Sequence, residues 1–114
     1  MATQFDVVLV PFPDTGGFSS QIRPALVVQN DGLNTGIAQV IVAAITSNTD
    51  RATGTAYRIA LDVNASEGKQ VGVLTDSVVL LDNLATVPTD ALLRVIGMVS
   101  DVAVVAGLCA VFDL

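Results

Sequence analysis

The chain has 114 residues, 52% of them hydrophobic and only 4% aromatic, with 14% charged residues and a net charge of −6. It has no histidine and a single cysteine, Cys109. Those figures exclude a disulfide-stapled secreted scaffold, a Ser-His-Asp triad and any zinc site built on imidazole or several thiolates.

In chain order, Phe5 to Val10 is a β-branched run that reads as a strand, closed by Pro11-Phe12-Pro13, because proline cannot donate to a ladder. Asp14 to Gln21 is a Gly- and Ser-rich loop. Ala25 to Gln29 and Gln39 to Ile45 are aliphatic runs of strand length, separated by the turn-forming stretch Asn30 to Gly36. Ser47 to Thr55 is polar and reads as a second loop. Tyr57, Ile59, Leu61 and Val63 alternate with Arg58, Ala60 and Asp62, as in a half-buried strand. A turn at Asn64 to Gly68 leads to two further apolar runs, Val71–Leu74 and Val78–Leu81. After Pro88-Thr89-Asp90 comes a short helical turn, then a strand over Arg94 to Met98.

Ser100 is placed to cap a terminal helix, with Asp101 in its first turn. Val102, Val105, Cys109 and Phe112 share one face, and Val104, Leu108 and Val111 make the other face apolar too. A small barrel covers one side of such a helix, so the Val104/Leu108/Val111 face is expected to meet a second chain. Low charge content points the same way, towards a homodimer. The architecture expected is mostly β: a small closed antiparallel barrel or curled sheet with a C-terminal helix, one domain over residues 1–114. No basic leader precedes the first strand. The longest apolar run, Val102 to Phe112, falls short of the ~20 residues of a spanning helix. A cytoplasmic protein without membrane contact is expected.

Five basic side chains, Arg23, Arg51, Arg58, Lys69 and Arg94, stand against eleven acidic ones. An acidic chain repels nucleic acid unless positive charge is concentrated locally. No phosphate-cradling Gly-Lys loop, dinucleotide fingerprint or calcium loop is present. Arg23 precedes Pro24 and abuts Ala25-Leu26-Val27-Val28, so its permanent charge belongs at the mouth of a loop. It serves there either as a salt-bridge partner of a carboxylate such as Asp76 or as part of a site. Thr46-Ser47 at a strand end either bind a phosphate or cap the next turn, and Asp76-Ser77 carry the same ambiguity.

Taken together, Asp6-Val7-Val8-Leu9-Val10, the Gly/Ser loop, Arg23-Pro24-Ala25-Leu26-Val27-Val28, Val40 to Ile45-Thr46, Gly72 to Asp82 and Ile96-Gly97 resemble the MazF/PemK family of toxin endoribonucleases. The resemblance spans nearly the whole chain in the expected order. It implies an SH3-like, plasmid-toxin type barrel that forms a homodimer and is restrained by a cognate antitoxin. It also implies metal-free, cofactor-free cutting of single-stranded RNA at short sequences.

By that resemblance Arg23 and Thr46 are the catalytic positions, and Ser47, Asp76 and Ser77 lie near the RNA. The first loop carries Phe18-Ser19-Ser20-Gln21 where many members have a Glu-Gln pair, so an acid–base residue is missing there. Phe18 either stacks on a base or closes the loop. A non-catalytic protein on the same scaffold, a decayed toxin that sequesters antitoxin or a topoisomerase poison, is the alternative.

Overall fold

The computed structural model describes residues 2–13, 20–33, 35–52, 54–64 and 72–114, leaving aside the side chains at 13, 20 and 51. Six strands form one antiparallel sheet: β1 Asp6–Pro13, β2 Ser20–Val27, β3 Gln39–Thr46, β4 Arg58–Leu61, β5 Ser77–Pro88 and β6 Arg94–Met98. Their order is β4-β5-β3-β2-β1-β6, with β4 and β6 at the edges. Helix α1, Asp101–Phe112, follows β6. The sheet is thus curled and mostly antiparallel β with a terminal helix, as the sequence pattern implies. None of the described helices is long and apolar enough to cross a membrane.

The aliphatic runs lack a polar face because the curled sheet buries both of its surfaces. Val7, Leu26, Ala43, Ile45, Val79 and Leu81 face one core, which α1 covers. Their neighbours Val8, Val10, Ala25, Val27 and Val42 face a second, together with Phe12 and Val87. Alternation by two sends successive side chains to opposite faces, so apolar residues are needed at every position.

Several boundaries differ from the sequence expectation. β1 does not stop at Pro11 but runs through Pro13. The Leu93 N–H donates to the Leu9 carbonyl at 2.8 Å, so the backbone groups of Leu9 point towards β6. Those of Pro11 and Pro13 point the same way, beyond the last β1–β6 pair at Leu9/Arg94. Their missing donors therefore remove no ladder bond. β5 is also longer than Val78–Leu81. Its register against β3 jumps from Ala43↔Leu84 to Ala44↔Leu80, leaving the polar Asp82-Asn83 pair at a bend within one strand. The segment 72–76 is not a strand; Gly72 turns there at φ 80°.

The helix presents the opposite face to the one expected. Val104 is fully buried, and Leu108 and Val111 pack against the same core. Val102 and Phe112 stand 76% and 55% exposed, with Val105 exposed beside them. With both faces apolar, hydrophobicity does not orient the helix; Gly107 does. A side chain there would strike Leu81 Cδ1 and come within 2.6 Å of the Ala56 carbonyl oxygen, so the bare backbone sets which face seats. Ser100 occupies the cap position but makes no side-chain capping bond.

Candidate functional site

A cleft of about 610 Å³ opens where the β2–β3 ladder ends. Paired residues on these strands run from Ala25↔Ala44 to Val27↔Val42 and go no further towards Arg23. Pro24 lies opposite Leu9. Because Leu9 directs its backbone groups away from β2, Pro24 directs its own towards β3, where it has no N–H to offer. The proline thus releases the end of β3 from β2, and Arg23, Pro24, Ile45, Thr46 and Ser47 line the opening. The third wall is Gly72 to Thr75 with Ser77. Gly72 packs so closely on the Ile96 backbone that a Cβ would collide with its carbonyl, which leaves no room for a side chain at that position.

Most of the sequence candidates come together here. Arg23 is exposed and donates from Nη2 to Gln21 Oε1 at 3.2 Å, which holds its guanidinium beside a second cleft residue. Among the described residues no carboxylate lies within salt-bridge range of it, and the Arg23–Asp76 pair considered from sequence does not form. Thr46 Oγ1 accepts the Asn48 N–H at 3.1 Å, so the turn-capping role is filled. The hydroxyl proton is still available as a donor. Ser77 is buried, and its hydroxyl donates to the Thr75 carbonyl at 2.9 Å.

Asp76 belongs elsewhere: it is not part of the cleft lining, and its Oδ1 accepts the Val63 N–H at 2.9 Å, tying the turn after β4 to the start of β5. Phe18 and Ser19 lie outside the described residues, as does the Ser20 side chain.

Arg94 is the charged residue of the described lining that sequence reasoning left unassigned. Its signal was present but weak, a lone cation at the head of a short strand. Only the pairing of β6 with β1 brings it to this side of the molecule. The third described arginine side chain, Arg58, is bound to Asp82 at 2.9 Å. That hydrogen bond, reinforced by the charge of Asp82, raises its pKa above the ordinary arginine value. No carboxylate is among the described residues lining the cleft. A chain of net charge −6 therefore carries a local cationic opening edged with hydroxyls.

A family model described as PemK-like, MazF-like toxin of type II toxin-antitoxin system matches residues 3–106. No curated protein matches the sequence. Among solved structures, the Mycobacterium tuberculosis toxin MazF-mt6 superposes with a TM-score of 0.70 at 24% identity, covering 96% of this chain and 97% of that one. A mycobacterial endoribonuclease in complex with its cognate antitoxin gives 0.71 at 23% identity over 100% and 97%. MazF from Deinococcus radiodurans gives 0.67 at 19% identity over 99% and 97%. At these identities the likeness establishes the fold.

Proposed function

This chain belongs to the PemK-like, MazF-like toxins of type II toxin–antitoxin systems, and we propose that it is a metal-independent endoribonuclease acting on single-stranded RNA in the cytoplasm. The observation that carries the proposal is the cleft itself, in which Arg23, Thr46, Ser47 and Ser77 converge with no carboxylate among the described lining residues. Such a site suits a phosphodiester anion, with neutral donors around a fixed cation.

In the proposed reaction the ribose 2′-oxygen attacks the adjacent phosphorus and loses its proton. The bond from phosphorus to the 5′-oxygen breaks, and that oxygen gains a proton. The products are a 2′,3′-cyclic phosphate and a 5′-hydroxyl. Arg23, steadied by Gln21, holds two non-bridging oxygens and offsets the charge that grows on them. Thr46 donates its hydroxyl proton to the phosphate while its oxygen accepts the Asn48 N–H, which fixes the side chain at the cleft. Ser47 and Ser77 border the RNA path, with Phe18, Ser19, Ser20 and Gln21 contributing from the β1–β2 side. The active unit is a homodimer joined through the exposed Val102, Val105 and Phe112 face of α1, and a cognate antitoxin restrains it.

One observation favours a second reading. The chain has no histidine, and the described residues of the cleft lining include no carboxylate to accept the 2′-hydroxyl proton. A protein that binds RNA or antitoxin without cutting fits that absence. The two readings separate on incubation with mixed-sequence RNA, with and without EDTA, beside Arg23→Ala. The endoribonuclease reading expects EDTA-resistant cuts ending in cyclic phosphate, reduced about 10²–10³-fold in the variant. Absence of cutting across many sequences, or cutting indifferent to Arg23→Ala, sinks it.

A further inference from the structure

Two described arginines lack a carboxylate partner, and both line the same cleft. The coincidence is informative because acidic residues outnumber basic ones eleven to five. In such a chain a carboxylate is easily placed beside any arginine whose role is to hold the fold, as Asp82 is beside Arg58. Keeping two like charges in one opening with nothing between them costs stability and leaves an unmet positive potential.

Their placement argues for separate occupancy. Arg23 lies on β2 opposite Val10, and Arg94 lies on β6 opposite Leu9, on the other flank of β1, so their side chains leave opposite faces of the sheet and reach the cleft from different sides. Successive strands are about 4.8 Å apart, so the two backbones stand about 10 Å from one another across β1. Arg23 is further held at its own position by Gln21. Leu9, Pro24 and Ile96 form an apolar floor around this span, and Leu74 stands 93% exposed at its rim. Two cations over an apolar strip match a polynucleotide, which alternates phosphates with ribose and base surface, better than they match one isolated anion.

We infer that Arg94 is a second phosphate-binding residue, holding the RNA phosphate next to the one at Arg23. The inference rests on the RNA reading of the cleft and extends its footprint from one phosphate to two.

The test is equilibrium binding of a mixed-sequence 2′-O-methyl RNA 12-mer, which cannot be cut, over a series of salt concentrations. Each phosphate neutralised on a single strand contributes about −0.7 to the slope of log affinity against log salt. Arg94→Gln is expected to make the slope shallower by about 0.7, and Arg94→Lys to restore it, since either cation neutralises a phosphate while only arginine has the fork shape. A wild-type protein that binds RNA with a slope unchanged in Arg94→Gln overturns this inference and leaves the role of Arg23 standing. A wild-type protein that binds no RNA at low salt overturns the RNA reading itself, and this inference with it.

Discussion

Replacing Gly107 by alanine sets two effects of opposite sign against each other. Glycine in a helix interior is about 0.8–1.0 kcal/mol less favourable than alanine, so propensity alone makes Gly107→Ala stabilising. The new methyl, however, is aimed at Leu81 Cδ1 and lies 2.6 Å from the Ala56 carbonyl oxygen. Leu81 is fully buried, so its side chain has no free space to retreat into. Nor does the backbone yield easily, because the neighbouring Tyr57 carbonyl accepts the Leu81 N–H at 2.9 Å. Lifting α1 enough to relieve the contact would unseat Val104, Leu108 and Val111 from the core.

Overpacking of this kind costs about 1–3 kcal/mol. A clash with both a buried side chain and a backbone oxygen belongs in the upper part of that range, about 2–3 kcal/mol, so packing outweighs propensity by about 1–2 kcal/mol and Tm falls by about 5–10 °C. Thermal and urea unfolding followed by circular dichroism measure it, with Ala106→Gly, on the exposed side of the same helix, as the propensity control. A Gly107→Ala protein as stable as the parent, or more so, would refute the seating of α1 derived from that contact.

Two further outcomes follow from the same geometry. Thr46→Val keeps the shape of the side chain but removes the acceptor of the Asn48 N–H, so stability falls by about 1 kcal/mol in urea unfolding. Its RNA cleavage should fall at least about 10-fold; cleavage at the parent rate removes Thr46 from the reaction. Phe112→Asp puts a charge on the exposed face of α1, and sedimentation should show a dimer becoming a monomer, with the circular dichroism of the folded chain unchanged. A parent protein that is already monomeric at micromolar concentration refutes the dimer.

The strands were legible where burial on both faces left unbroken aliphatic runs, as in β3, and where alternation marked one face, as in β4. The length of β5 was not, because Asp82-Asn83 looks like a strand end in one dimension and is a bend in three. The helix face was misread for a related reason: two apolar faces carry equal weight until a tertiary contact, here at Gly107, selects one. At the site, Arg23 and Thr46 each flank an aliphatic run, which left both open between a structural role and a site until the family resemblance of the Arg-Pro and Ile-Thr blocks singled them out. Arg94 did not stand out, since its relation to Arg23 exists only through strand pairing across β1. Asp76 was suggested by the family resemblance and not by the pattern, and its carboxylate accepts the Val63 N–H outside the cleft lining.

The two prolines at the end of β1 affect more than strand length. Beyond Leu9 that strand has a neighbour on one side only, which ordinarily offers a template for another chain to add a strand and start an aggregate. Pro11 and Pro13 direct donor-less nitrogens to that open side, so the edge lacks half the groups such a template needs. An extended peptide arriving there finds carbonyls but few amides. A peptide approaching the Arg23 cleft along this end of β1 is therefore held through its side chains and charge and not by pairing with that strand.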